Sequence, residues 1–186
     1  RELTGFSIKV WKSALVLISV LGILYILGVY QYFGLQIYKA QYVGLFFALI
    51  FFVIFIGVPS RKDRVETTVP WYDWILAFVS LVVGLYLFIL YPRIVYEFFY
   101  VTPDRVVIGI LAVLLILEAL RRLTGWILVI VVLVFISYAY IAPYLFGTLR
   151  GNPTDTAKLF NYLYFDSSGI ISMLGVAVTL GFAFIF

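Results

Sequence analysis

The sequence contains no cysteine and no histidine among its 186 residues. Without cysteine, the chain cannot form disulfides, iron–sulfur clusters, thiolate zinc sites or a cysteine nucleophile. Without histidine, it cannot hold a histidine-ligated haem, a histidine metal site or a Ser-His-Asp triad. Most redox and hydrolytic membrane enzymes are thereby disfavoured, so we expect no catalytic residues, no metal site and no cofactor.

Charged side chains are also scarce. They make up 12% of the chain, against about 25% in an ordinary soluble domain. Hydrophobic residues account for 65% and aromatic residues for 20%, and the mean hydropathy is +1.15. A water-soluble fold of this size leaves much of its surface wet and cannot hide so much apolar side chain. The composition therefore predicts an integral membrane protein that crosses the bilayer several times.

Apolar runs of about the length that a spanning helix needs, roughly 17–25 residues, recur along the chain. The amphipathic segment Thr154–Phe165 is expected to be a short helix on the outer membrane surface, with Ala157, Phe160, Leu163 and Tyr164 on one face. The predicted fold is an all-α integral membrane protein with about five transmembrane helices, the start of a sixth, and one interfacial helix. The predicted passes are Ser13–Phe33, Tyr42–Val58, Trp71–Tyr91, Arg105–Leu120 and Trp126–Leu145, and Gly169–Phe186 begins the sixth.

The longest apolar run, Arg105–Ile141, is predicted to be two passes rather than one. As a single helix it would be roughly 55 Å long, whereas the hydrocarbon layer is about 30 Å thick. Glu118, Arg121 and Arg122 lie near its middle, and a charge at the bilayer centre costs about 2.5–3.5 kcal/mol. A turn near Gly125 would place these charges at an interface instead.

The basic residues predict the orientation of the chain. A cytoplasmic N-terminus puts more of the 13 Lys and Arg residues, and all of their tight clusters, on the inner side, as the positive-inside rule requires. Because they fall between apolar runs, the net charge of +4 does not indicate nucleic acid, and the expected partners are membrane lipids. The loop Arg61–Arg64 is expected to contact anionic lipid. The inner residues are Arg1, Lys9, Lys12, Arg61, Lys62, Arg64, Arg121 and Arg122, and the outer ones are Lys39, Arg93, Arg105, Arg150 and Lys158.

Glu118, Arg121 and Arg122 form one candidate site at a membrane or domain interface. Their spacing of three and four residues allows ion pairs on one helix face. The leading interpretation is an inner-surface anchor, in which the arginines extend to lipid phosphates and Glu118 offsets their charge. Contact with a partner domain and a transport or proton-relay role are the alternatives.

Trp71, Asp73 and Trp74 form a second candidate interface site, at the start of the third predicted pass. Asp73 falls in the first helical turn, where the helix dipole favours an acid, so helix capping is the leading interpretation. The two indoles suit the headgroup region. In the sixth segment, Ala177 and Gly181 form a small-xxx-small pair that predicts close helix packing, with the start of a larger transport domain as the alternative.

The ends of the sequence predict a fragment of a longer polypeptide. The chain begins at Arg1 rather than Met, and it stops at Phe186 inside an apolar run. The segment 1–12 is too polar to be the apolar core of a signal peptide.

Three stretches, Pro70–Trp74, Leu117–Trp126 and Ala142–Leu145, occur in this order and are followed by the run Tyr162–Thr179. Together they resemble the N-terminal part of fused permeases of the TRAP class (tripartite ATP-independent periplasmic transporters), in particular the TAXI-associated subgroup. The resemblance covers most of Pro70–Thr179, and the first two predicted passes match only in character.

The resemblance implies three parts: a small scaffold membrane domain of four passes at 1–125, a connecting pass and interfacial helix at 126–168, and the start of a large transport domain at 169–186. It implies an ion-gradient-driven importer of organic acids in a prokaryotic plasma (inner) membrane. The implied partners are a periplasmic solute-binding protein, the large permease domain beyond residue 186, and a coupling cation, Na⁺ or H⁺. The family's substrate and ion sites lie beyond Phe186, so no residue here inherits a substrate-binding role and we expect no enzyme activity.

Two other functions remain as alternatives at this point. One is a stand-alone structural or assembly subunit of a membrane complex. The other is a membrane enzyme acting on lipids, which would need a polar cluster facing a cavity, and the sequence offers no pattern of that kind.

Overall fold

Helices make up most of the chain. The structure is a computed structural model that describes residues 1, 3–32, 34, 36–60, 68–97, 100–166 and 168–185. Within these residues the only other regular structure is a pair of short 3-10 turns, Ala142–Tyr144 and Gly147–Leu149, so the all-α prediction is confirmed. The helices are α1 Gly5–Ile26, α2 Val29–Tyr32, α3 Lys39–Gly57, α4 Trp71–Tyr96, α5 Pro103–Thr124, α6 Trp126–Ile141, α7 Thr156–Phe165 and α8 Ile170–Ile185.

Five helical segments are long and apolar enough to cross a membrane, which supports a multi-pass membrane protein. α5, which coincides with the fourth predicted pass, is not one of the five, because charged residues lie near both of its ends. Its centre, 106–117, is apolar throughout. The five segments are Gly5–Ile26, Lys39–Gly57, Trp71–Tyr96, Trp126–Tyr144 and Thr156–Gly181.

The bilayer-thickness argument predicted that the run Arg105–Ile141 is divided into two helices, and the structure confirms this division. The single residue between α5 and α6 is Gly125, whose φ of +94° lies in a region that residues with a side chain rarely adopt. Leu117 and Ala139 line the same cavity, although in a straight helix they would be about 33 Å apart. The chain therefore reverses direction at Gly125, and α5 and α6 form a hairpin.

The most extensive helix pair consists of α3 and α4, and small residues bring the two backbones together. A Cβ atom added to Gly44 would lie 2.8 Å from the carbonyl oxygen of Gly84. Ser80 is fully buried in the same contact, and its hydroxyl donates to the carbonyl oxygen of Ala77 at 2.7 Å. Small residues let helices approach closely where lipid replaces water. Since α3 also contacts α1, α5 and α8, it is the central helix of the bundle.

α7 forms where the amphipathic helix was predicted, and its apolar face packs on the bundle. Tyr164 is fully buried, and its hydroxyl donates to the carbonyl oxygen of Val83, halfway along α4, at 3.1 Å. A Cβ atom on Gly109 of α5 would lie 2.7 Å from the carbonyl oxygen of Phe160. Helical periodicity identifies an apolar face, but it does not distinguish burial against protein from burial in lipid.

The small-residue pair predicted in the last segment does not bring two helix backbones together in the part of the chain that the structure describes. Ala177 and Gly181 are exposed, and nothing lies within 4 Å of a Cβ atom added to Gly181. Gly175 packs on α3 instead, where an added Cβ atom would lie 3.2 Å from the Val43 side chain.

Candidate functional site

The residues of both predicted interface sites meet at one end of the bundle, where α3 and α5 end and α4 and α6 begin. Asp73 is at the centre of this end, and its side chain is fully buried. It lies in the first turn of α4 as predicted, but it makes no capping hydrogen bond. Its carboxylate oxygens instead accept hydrogen bonds from Arg1 at 2.7 Å and from Arg122 at 2.6 Å. The capping interpretation is therefore wrong, and Asp73 is an ion-pair partner shared by two arginines.

Arg122 is buried, with 2% of its surface exposed. Besides Asp73, its guanidinium donates to the Glu118 carboxylate at 2.8 Å and to the carbonyl oxygen of Val58 at 3.1 Å. It also lies over the ring of Phe55, 5.1 Å from the ring centroid. The anchor interpretation expected Arg122 to extend to a lipid phosphate. The structure instead places its guanidinium among protein partners. Protein atoms bind its donors in the interior of the bundle.

Glu118 binds both arginines that follow it, as the helical spacing predicted. One Glu118 oxygen accepts from Nε of Arg121 at 2.8 Å, and the other accepts from Nη2 of Arg121 and Nε of Arg122, each at 2.8 Å. Arg121 also donates to the hydroxyl of Ser60 at 2.8 Å and to its carbonyl oxygen at 3.2 Å. Its guanidinium carbon lies 5.7 Å from the centroid of the Trp126 indole. Arg121 is partly exposed, whereas Arg122 is buried, so Arg121 lies at the edge of the cluster.

Trp71 and Trp74 are positioned differently although they flank the same aspartate. Trp71 is 74% exposed, which suits a side chain in the headgroup region. Trp74 packs against the hydrophobic core and stacks on Phe6 of α1 with a centroid distance of 6.5 Å. Of the two indoles predicted to lie in the headgroup region, Trp71 is therefore exposed, whereas Trp74 is packed against the bundle.

The C-terminal end of α3 helps to explain how three arginines are accommodated around two acids. The final carbonyl groups of a helix have no partner within the helix, and they carry the negative end of its dipole. Arg1 donates to the carbonyl oxygen of Ile56 at 2.9 Å and Arg122 to that of Val58 at 3.1 Å, whereas Arg121 donates to Ser60, beyond the end of α3. Buried charges are tolerated when they are both paired and hydrogen-bonded. Arg1 and Arg122 satisfy this condition while they cap α3.

This arrangement can hold helices together, but its arginines cannot pass protons along. A guanidinium stays protonated in proteins, so a proton relay cannot run through Arg1, Arg121 or Arg122. The network, defined as Arg1, Asp73, Glu118, Arg121 and Arg122, connects the start of the chain to α3, α4 and α5. We refer to it as the arginine–acid network.

A second polar cluster, which sequence reasoning missed, lies at the opposite end of the bundle. Arg105 is 3% exposed and donates at 2.9 Å to each of three oxygens: the carbonyl groups of Glu97 and Tyr100 and the carboxylate of Glu97. Beside it, Tyr86 donates to Asp104, and a cavity of about 130 Å³ opens next to both pairs. The sequence signal for this cluster was the pair of opposite charges, Glu97 and Arg105, on either side of the short connection between α4 and α5. Arg105 was predicted to be an outer charge at the start of the fourth pass.

No protein-family model, curated protein or solved structure matches this chain. The resemblance to TRAP permeases therefore stays a prediction. Among the residues that the structure describes, no cluster of acidic side chains could hold a metal ion. The predicted lipid-contacting loop 61–64 lies outside the described residues.

Proposed function

We propose that this chain is the scaffold portion of a solute importer of the TRAP class, which keeps its shape while a larger transport domain moves against it. The arginine–acid network carries this proposal. It joins the ends of α3, α4 and α5 and Arg1 at the start of the chain through charged hydrogen bonds that are largely buried, and such an arrangement resists sliding of one helix past another. A scaffold needs this property, whereas a moving domain would have to break these contacts in each cycle.

The position of α6 supports the division of the chain into a scaffold and a connecting pass. α6 packs chiefly on α5, and only Val129 is buried within it. In the proposal, residues 1–125 are the scaffold domain, 126–168 connect it to the large domain, and 169–186 begin that domain. The chain would lie in a prokaryotic inner membrane, with the arginine–acid network and the N-terminus on the cytoplasmic side, where clustered basic residues are retained.

A transport assay on the parent protein tests this proposal. The full polypeptide would be reconstituted in liposomes, and uptake of radiolabelled organic acids would be measured with and without the solute-binding protein encoded beside it. We expect uptake only when both that protein and an inward Na⁺ or H⁺ gradient are present, with no requirement for ATP. Uptake that needs ATP, or that proceeds without the binding protein, would remove the TRAP assignment.

The rival function is a stand-alone subunit that assembles a membrane complex. Sequencing the gene downstream of the codon for Phe186 separates the two, because a fused permease requires a dozen or so further hydrophobic segments. A nearby stop codon, together with copurification of other membrane subunits, would favour the assembly role.

A further inference from the structure

A deep apolar cleft separates the two arms of the α5–α6 hairpin. It has a volume of about 370 Å³, and its walls are hydrophobic side chains from α5, α6, α7 and α8. Leu117, Val132 and Ala139 line it along the hairpin, and Leu163 of α7 closes one side. Side chains of the two arms do not fill the space between them, although only Gly125 separates the arms in the sequence.

Arg121 and Trp126 do not line the cleft themselves but lie between it and the turn at Gly125. Leu117 lines the cleft, and Arg121 lies one turn further along the same face of α5, because residues four apart are neighbours on a helix. Trp126 is the first residue of α6 and is 61% exposed. An arginine stacked on an indole, at the boundary of an apolar segment, is the arrangement that proteins place at the level of lipid headgroups.

The charge of Arg121 is only partly compensated within the described residues. Its carboxylate partner, Glu118, also binds Arg122, so one negative charge serves two guanidiniums. The side chain of Arg121 is 22% exposed, whereas that of Arg122 is 1% exposed. Arg121 can therefore accept a further anionic partner from outside the bundle.

The distances fit one leaflet of the bilayer. From Arg121 to Val113, at the far end of the cleft, is a rise of about 12 Å along α5. One leaflet of hydrocarbon, half of the full core, is about 15 Å thick. An acyl chain that enters beside Arg121 would thus follow the cleft for most of its length, in contact with apolar side chains throughout.

We propose that this cleft is a binding site for an anionic phospholipid such as phosphatidylglycerol, with one acyl chain between α5 and α6 and the phosphate beside Arg121 and Trp126. The lipid fills the space that the divergent hairpin leaves open. It thereby sets the angle at which α6 leaves the bundle. The proposal depends on membrane insertion of the chain, and it is independent of the transport function proposed above.

Native mass spectrometry tests the acyl-chain part of the proposal. The protein would be extracted in mild detergent from nanodiscs of phosphatidylcholine with phosphatidylglycerol, and the phospholipid retained per chain would be counted. Ala139→Phe fills the cleft and should remove one retained lipid. Ser137→Phe is the matched control, because Ser137 is exposed on α6 outside the cleft lining, and it should leave the count unchanged. The proposal would be overturned if both variants retained the same number of phospholipids. It would also be overturned if the protein formed a dimer that carries no lipid.

Substitutions of Arg121 test the headgroup part. Arg121→Gln should lower the preference for phosphatidylglycerol over phosphatidylcholine about fivefold, which corresponds to about 1 kcal/mol for one basic residue at the membrane surface. Arg121→Lys keeps the charge and should retain the preference. If Gln and Lys behave alike, or if the wild type shows no preference, the assignment of an anionic lipid is wrong.

A photocrosslinking experiment tests the proposal even if the cleft-filling variant Ala139→Phe does not fold. A photoreactive side chain would be placed at Val132, inside the cleft, or at Val131, which is exposed on the same helix. After extraction into detergent, position 132 should crosslink to phospholipid and position 131 to detergent. Crosslinks from position 132 to another protein segment, or to detergent alone, would overturn the proposal.

Discussion

Replacing Asp73 by Asn gives the most direct measure of the arginine–acid network. The substitution keeps the size of the side chain but removes the charge that two buried guanidiniums share. Two charge-assisted hydrogen bonds are weakened, each contributing about 1.5–3 kcal/mol. Removal of one partner from a buried ion pair costs about 3–5 kcal/mol, because the other charge stays buried without compensation. We therefore expect Asp73→Asn to lower the free energy of unfolding by about 3–5 kcal/mol.

The assay is reversible unfolding of the purified chain in mixed micelles, titrated with sodium dodecyl sulfate and followed by tryptophan fluorescence. Asp155→Asn is the matched control, since Asp155 is exposed and makes no capping hydrogen bond; it should change stability by less than about 0.5 kcal/mol. The double variant Asp73→Asn with Arg122→Gln should destabilise less than the sum of the two single changes, because contacting residues couple by about 0.5–3 kcal/mol. If Asp73→Asn is as mild as Asp155→Asn, the network does not hold the helices together and the scaffold argument fails.

Three further predictions address packing, hydrogen bonding and topology. Gly84→Ala should destabilise the chain by about 1–3 kcal/mol through overpacking between α3 and α4, measured in the same unfolding assay, whereas Gly181→Ala should be neutral or slightly stabilising. Tyr164→Phe should cost about 0.5–1.5 kcal/mol for its lost buried hydrogen bond, and Tyr162→Phe, at an exposed position, should cost close to nothing. Reporter domains inserted in the α3–α4 connection and beside Gly125 should read the same side of the membrane, by alkaline phosphatase and green fluorescent protein fusions.

Each of these has an outcome that contradicts it. A neutral Gly84→Ala would mean that α3 and α4 are further apart than described. Equal effects at the two tyrosines would show that the buried hydroxyl contributes no more than an exposed one. Reporters on opposite sides would mean that α5 and α6 do not form a hairpin.

The starts of α4, α5 and α6 could be predicted well from the sequence because their causes are local, whereas the first predicted pass, Ser13–Phe33, was displaced from α1, Gly5–Ile26. Pro70 and Pro103 mark helix starts, since proline lacks an N–H that the first turn does not need, and α4 and α5 begin within one residue of them. Gly125 ends α5 with a backbone conformation suited to glycine. A comparison of run length with bilayer thickness then divided Arg105–Ile141 correctly.

The partners of the charged side chains could not be predicted because they are distant in the sequence. An aspartate in the first turn of a helix is equally typical of a helix cap and of a tertiary ion pair. Asp73 forms a tertiary ion pair. The predicted orientation already placed Asp73 and Arg122 on the same side of the membrane, so their pairing was available as a hypothesis. Their mutual distance depends, however, on which helices are neighbours.

The small-residue signal was misassigned for a similar reason. Gly44 and Ala48 lie four residues apart in α3 and form the close contact with α4. Ala177 and Gly181, predicted to pack closely, have the same spacing but are exposed. Spacing alone identifies a surface that permits close approach, and the rest of the fold decides whether another helix occupies it.

The single-residue turn at Gly125 also bears on the insertion of this chain into the bilayer during synthesis. α5 carries charged residues in its first and last turns, whereas apolar residues of the kind that make up most of α6 each favour insertion by about 0.3–0.6 kcal/mol. Because a single residue separates the two helices, we expect α5 and α6 to enter the bilayer together, as one hairpin.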